Sequence, residues 1–293
     1  MKLKDIYLPR PVAEGGAATS AFNTVPVSKA QVDPTIAYFA DLIGIPKEDL
    51  HPVGSTGKTA MSGDIDLGID GRKYDVEKIH NHVMRVVNNR GTFSKGTRVG
   101  SYAVPIAGDP ENGYCQVDLM HSGDIDWTKF SYFSPGEKSQ YKGAIRNTLL
   151  SSVASAVNEP GIDAFVVDRE TGNWLVRVGW GFDVSRGLKR MFQMRKRRAD
   201  GKWKASMENV TPEEIMDHYP ELHFDPHQRV IRGPKAAAEI LFGAGTAPED
   251  IETAEQIIEL IKTKFSPEKA DAIIRRAKEK FGKVQKGIAV PQL

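Results

Sequence analysis

In "DPTIAYFADLIGI" apolar residues recur at close to every third or fourth position, which predicts a helix opened by Asp33-Pro34 and ending near Gly44. From about residue 53 to 120 the pattern changes to short apolar runs punctuated by glycines, with one amphipathic stretch, "YDVEKIHNHVMRVVNN", between them. Strand, helix, strand is the expected order there. "GAIRNTLLSSVASAVN" predicts another helix, and "AFVVDRETGNWLVRV", two β-rich runs around a turn, predicts a hairpin. The chain closes with "EDIETAEQIIELIKTKF" and "SPEKADAIIRRAKEKFG", a helical hairpin whose second helix is opened by Ser266-Pro267. Residues 1–30, rich in Gly, Ala, Pro and Ser, read as an extended arm. The fold class expected is α/β (α+β), with a mixed sheet flanked by helices. The division expected is an arm over 1–30, a sheet domain over 31–130, a smaller α+β module over 131–245 and a C-terminal helical hairpin over 246–293.

Composition narrows the setting. A chain of 293 residues with 40% hydrophobic content can bury real cores. Neither terminus carries a secretory apolar segment, and no run approaches the roughly 20 residues needed to cross a bilayer. Cys115 is the only cysteine, which excludes an internal disulfide and suits a reducing cytoplasm. The net charge is only +2, so affinity for nucleic acid must come from local clustering.

The pentapeptide Ser-Gly-Asp-Ile-Asp occurs twice, at Ser62–Asp66 and Ser122–Asp126. In the first copy Asp64 and Asp66 alternate with Ile65 and Leu67, and a strand would place both carboxylates on one face. Side-by-side carboxylates repel unless a cation neutralises them. Asp118, in the β-type run "YCQVDLM", supplies a third acid. On a neighbouring strand it would complete an oxygen-only ligand set suited to Mg²⁺ or Mn²⁺, with two ions bridging phosphates. The second copy, Asp124 and Asp126, directly follows that run and is expected in the turn leaving it.

Upstream, "GSTGKT" invites a P-loop reading, but that motif needs a glycine where Pro52 stands, and a strand rather than a long helix follows. The segment is read instead as a turn. There Gly54 and Ser55 bring N–H groups and a hydroxyl to triphosphate oxygens, and Lys58 adds a point charge.

Gly-Ser, about ten residues, Asp-x-Asp on a strand and a lone Asp on a later strand resemble the DNA polymerase beta-like nucleotidyltransferase superfamily. "GSTGKTAMSGDIDLGI", which includes Ser62 and Gly63, and "CQVDLM" are closest to the family X DNA polymerases. "YFSPGEKSQYKGAIRNTL" is similar to that family's segment contacting the sugar and base of the incoming nucleotide, and the similarity extends through "FVVDRETGNWL" and "ENVTPEEIMDHYPEL", over roughly residues 50–225. The resemblance implies a nucleotidyltransferase palm holding two ions on Asp64, Asp66 and Asp118. It also implies an NTP or dNTP bound by Gly54, Ser55, Lys58, Ser62 and Gly63, with Tyr132 and Phe133 flanking its sugar. In-line attack of a hydroxyl on the α-phosphate would release pyrophosphate. The chain departs from the family in three places. About 50 residues before Gly54 cannot hold the family's DNA-gripping helix-hairpin-helix region, only Lys58 matches its phosphate-turn arginine, and Ser134-Pro135-Gly136 replaces Thr-Gly-Ser.

The acceptor is read from charge. Residues 186–204, "RGLKRMFQMRKRRADGKWK", carry nine Lys and Arg against Asp200 alone, interleaved with Met191, Phe192, Met194 and Trp203. Such a strip attracts a phosphate backbone through Arg190, Arg195, Lys196, Arg197 and Arg198, with DNA or RNA as partner; a solvated amphipathic helix followed by a basic turn is the alternative. The expected reaction is transfer of a nucleoside monophosphate to a nucleic-acid 3′ end. A protein or small-molecule acceptor, or a catalytically idle nucleic-acid-binding module, remain open. His80 and His82, two apart on a helix, do not face each other. His218, His223 and His227 near Asp225 read as loop residues.

Overall fold

A computed structural model describes residues 17–95, 97–158, 166–167, 174–196, 198–202, 208–209, 211–218, 230–281 and 291. The fold is mixed α/β, and its contacts divide the chain into two compact units between His121 and Ser122. Among the described residues no helix is long and apolar enough to cross a membrane.

The first unit contains β1 (Val27–Ser28), α1 (Lys29–Ile43), β2 (His51–Pro52), β3 (Met61–Ser62), β4 (Ile65–Asp70), α2 (Val76–Val86), β5 (Gly91–Ser94), β6 (Val99–Pro105) and β7 (Tyr114–Ser122). Five of the strands form a mixed sheet in the order β2-β4-β7-β6-β5, and β1 pairs with β3. α1 begins before the expected Asp33-Pro34. Ser28 caps it, its backbone N–H and hydroxyl both reaching the Gln31 side chain, and Pro34 sits inside the helix. α2 starts where its sequence predicts, because the Asp75 carboxylate accepts from the amides of Glu77 and Lys78 at 3.0 Å each.

Both helices serve one core. Alternation along β4 and β7 buries Ile65, Leu67, Ile69, Val117 and Leu119 with Ile36 and Phe39 of α1 and Val83 of α2. Asp66 and Asp118 fall on the opposite alternation, so packing one face of the sheet aims the acids at the other. The two histidines of α2 serve packing. His80 Nδ1 lies 3.0 Å from the Tyr102 hydroxyl and stacks on Phe93, and His82 Nε2 lies 3.4 Å from the Leu42 carbonyl. The expected arm is folded in over its described part. Residues 17–22 form a short 3₁₀ turn holding the fully buried Thr19, and Val27–Ser28 pair with Met61–Ser62.

The second unit contains α3 (Ile125–Ser131), α4 (Gly143–Ala154), β8 (Val166–Val167), β9 (Trp174–Asp183), β10 (Gly187–Lys196), β11 (Glu208–Asn209), α5 (Pro212–His218), β12 (Val230–Ile231), α6 (Pro234–Phe242), α7 (Ala254–Lys264) and α8 (Pro267–Phe281). The predicted hairpin forms, Val166 opposite Val176, but β9 runs on and pairs along its whole length with β10. Over Gly187–Lys196 the basic stretch is therefore a strand rather than an amphipathic helix. The C-terminal helical hairpin is present, α7 capped by Thr253 and Gln256 reciprocally at 2.9 and 3.2 Å. It is not set apart: Ile257, Ile261, Ile273 and Ala277 share a core with Trp127 of α3 and with Ile145, Leu149 and Val153 of α4.

Candidate metal centre

Asp64 precedes β4, Asp66 lies within it and Asp118 lies in β7, and one carboxylate oxygen from each comes within 4.8 Å of the others. Asp64 is buried and its two partners are partly so. Among the described residues no other trio of acids, histidines or cysteine converges in this way. Burial pushes the Asp118 carboxyl above its ordinary value, against hydrogen bonds from Ser101 and Gln116 that pull it down. A half-buried carboxylate that its neighbours only partly compensate, beside two more, is an arrangement that a divalent cation completes. The three carboxylates could therefore hold a metal ion.

The turn before β4 is built against these acids. Val53 N–H donates to the Asp66 carbonyl at 3.0 Å, and the Asp66 N–H donates to the Thr56 hydroxyl at 2.7 Å. Gly54, at φ +61°, sits so close that a Cβ there would lie 2.2 Å from Asp66 Oδ2. The glycine of the Gly-Ser pair is thus required by the carboxylate it faces. No long helix follows the turn, as the rejected P-loop reading requires.

The other expected nucleotide-binding residues divide. Gly54, Ser55 and Lys58 share this turn, Lys58 exposed and its N–H bonded to the Ser55 carbonyl at 3.0 Å. Ser62 is almost fully buried; its hydroxyl accepts from Gly57 N–H at 3.2 Å and donates to the Ser55 carbonyl at 3.5 Å, so it fastens the turn from inside. Gly63 joins β3 to Asp64. Tyr132 caps the C-terminus of α3, and Phe133 lies beneath the Arg146 guanidinium at 5.7 Å; both belong to the second unit. The second acidic pair is a helix cap. Asp124 accepts from the Trp127 amide at 2.9 Å, and Asp126 lies in the first turn of α3.

The basic strip needs one correction. On β10, Leu188, Arg190 and Phe192 alternate onto the packed face. Arg190 is only 8% exposed, its guanidinium 5.1 Å from the Trp180 ring centroid, so it packs rather than meeting a phosphate from solvent. Arg195 and Lys196 lie on β10, their side chains outside the described residues, as is all of Arg197. Arg198 is exposed beside Asp200 at 3.9 Å. Of the histidines read as loop residues, His218 instead ends α5, and His223 and His227 lie outside the described residues.

Three residues escaped the sequence reading. Gln116 donates from Nε2 to Asp118 Oδ1 at 2.9 Å, and its own Oε1 accepts from the Thr19 amide and hydroxyl at 3.1 and 2.9 Å. Ser101 stands opposite Asp118 across the β6–β7 ladder. Gln116 could have been suspected, being two residues from Asp118 on the same face; nothing local marks Thr19. The Gln116→Leu variant should bind Mn²⁺ about 10- to 100-fold more weakly, the loss typical of removing an outer partner of a ligand. A Mn²⁺ titration followed by electron paramagnetic resonance checks this, and unchanged affinity would show that Gln116 does not orient Asp118.

Comparison with family models, with curated proteins and with solved structures returns no match.

Proposed function

We propose that the protein is a metal-dependent nucleotidyltransferase of the DNA polymerase beta-like kind, moving a nucleoside monophosphate from an NTP or dNTP to a hydroxyl, a nucleic-acid 3′ end being the acceptor expected. The observation that carries this reading is the meeting of Asp64, Asp66 and Asp118 beside a glycine turn packed directly on Asp66. Mg²⁺ or Mn²⁺ fits the all-oxygen donor set, and bound there, as one ion or a pair, it supplies charge neutralisation at phosphate oxygens and a lowered pKa for the attacking hydroxyl. Asp64, Asp66 and Asp118 hold that charge in place. Gly54 and Ser55 offer the turn to the β- and γ-phosphates, with Lys58 adding positive charge at its exposed edge. Arg198 and its neighbours on the basic strip draw the acceptor's backbone. The buried, lone Cys115 is consistent with a cytoplasmic setting.

The test is incorporation of labelled NTPs and dNTPs with Mg²⁺ or Mn²⁺ on single-stranded, gapped and RNA acceptors. Metal-dependent extension establishes the chemistry and names the acceptor. Pyrophosphate release only when cell extract is supplied turns the search to a protein or small molecule. The absence of both extension and metal-dependent nucleotide binding would sink the reading.

A further inference from the structure

The segment ahead of α1 touches the approaches to the first and the last of the three acids. At one end Val27 pairs with Ser62 of β3, two residues before Asp64, and Lys29 N–H donates to the Ala60 carbonyl at 3.0 Å. Val25 N–H donates to the Tyr114 carbonyl of β7 at 2.8 Å. At the other end the fully buried Thr19 reaches Gln116 of β7, two residues before Asp118. Residues 19–28 thus form a strap fastened to the strand carrying Asp118 and to the strand leading into Asp64.

The contact at Gln116 does more than fill space. A glutamine amide has two ends of nearly equal shape, and turning it over exchanges a donor for an acceptor. Facing Asp118, only the donor end fits, because Oε1 would set its lone pairs against the carboxylate oxygens. Thr19 holds the amide in that orientation. Its backbone N–H, 3.1 Å from Oε1, can only donate, and its hydroxyl donates to the same oxygen at 2.9 Å. A flipped Gln116 would turn its NH₂ against that N–H, two donors facing each other where little water reaches. Thr19 is 0% exposed and Gln116 3%. Unmatched donors at such depth are costly, so the flipped state is suppressed. The single Thr19 hydroxyl proton is committed to Gln116, which makes the Thr24 hydroxyl, 3.2 Å away, the donor between the two threonines.

We propose that Thr19 is a positioning residue of the metal centre, which fixes the orientation of the Gln116 amide and thereby holds the Asp118 carboxylate where it meets Asp64 and Asp66. The resemblance, which begins near residue 50, assigns Thr19 no role. From the nucleotidyltransferase reading the proposal takes only that the three carboxylates receive a cation.

The test uses the full chain in two settings. In EDTA, with glutamine side chains labelled with nitrogen-15, the Gln116 amide signal is recognised by its absence in Gln116→Leu. That signal should move in Asp118→Asn and in Thr19→Val, and stay at the wild-type position in Thr19→Ser. In Mn²⁺ titrations followed by electron paramagnetic resonance, Thr19→Val should bind about tenfold more weakly, while Thr19→Ser stays within about twofold of wild type. Added to Gln116→Leu, Thr19→Val should cost nothing more, because the threonine acts only through the glutamine. Thr19→Ala, which loses the same hydroxyl without placing a methyl there, takes the place of Thr19→Val should that variant misfold. A loss that adds to that of Gln116→Leu assigns Thr19 to packing and overturns the proposal. So does unchanged Mn²⁺ affinity in Thr19→Val, or a Gln116 signal that Thr19→Val leaves in place. A signal that responds as expected in a protein that binds no Mn²⁺ keeps the Thr19–Gln116–Asp118 chain and removes the metal-dependent reading instead.

Discussion

Asp118→Asn should abolish nucleotide incorporation, a loss of at least about 10³-fold, while raising the melting temperature of the metal-free protein. The two effects have one cause. Asparagine keeps the shape of the side chain and an oxygen for Gln116 Nε2, which donates to Asp118 Oδ1 at 2.9 Å. It removes the charge that burial disfavours and that a metal needs. Burial raises the folded pKa of Asp118 above its ordinary 3.8. Its stabilising contribution is therefore complete below that ordinary value and is lost as pH rises through the raised folded value. At neutral pH the metal-free wild type carries the cost of the buried anion, and the variant does not. Melting curves in EDTA should show the variant above the wild type near pH 7, with the gap closing as pH falls below about 4. Adding Mn²⁺ should reverse the order, since ligand binding to the folded state stabilises only the protein that binds it. A variant that melts below the wild type in EDTA at pH 7 would mean that Asp118 is already compensated by the protein, and the case for a cation there would fail.

How far the sequence revealed the fold depended on whether a feature was local. The alternation Asp64, Asp66 against Ile65, Leu67 fixed both the strand and the face of the acids, because one period-two pattern encodes burial and exposure together. The start of α1 was less legible. Asp33-Pro34 looks like a helix opening, yet the Ser28–Gln31 cap lies five residues earlier and Pro34 sits inside the helix, where it forgoes one backbone hydrogen bond. For the basic strip, "GLKRMFQMRK" offers apolar residues at adjacent positions, which fits neither period cleanly. Only pairing with β9 determines that Arg190 packs on Trp180 while Lys189 faces solvent. The Thr19–Gln116 bond spans 97 positions, and nothing in either neighbourhood announces the other. The last two helices were legible as helices, but an apolar stripe does not name its partner, so their shared core with α3 and α4 emerged only from the structure.

A Gly54→Ala substitution should cost Mn²⁺ affinity and incorporation about 100-fold, the upper end of the loss typical of disturbing a ligand's immediate neighbour. Asp66 cannot retreat along the strand, because its N–H and carbonyl are both tied to the turn, at 2.7 Å by Thr56 and 3.0 Å by Val53. A methyl group 2.2 Å from Oδ2 must therefore rotate the carboxylate or break the turn. Alanine also meets a backbone penalty at φ +61°, about 1–2 kcal/mol for a residue with a Cβ in the left-handed region. Gly57→Ala separates the two effects. Its φ is +67°, nearly the same, but the nearest atom to the added Cβ is Val32 Cγ1 at an ordinary 3.7 Å. Both variants should lose similar stability from backbone strain, and only Gly54→Ala should lose the metal. Equal loss of Mn²⁺ affinity in the two variants would show that rigidity of the turn, rather than the close approach of Gly54 to Asp66, governs the site. In that case the glycine of the Gly-Ser pair would be explained by its backbone conformation alone.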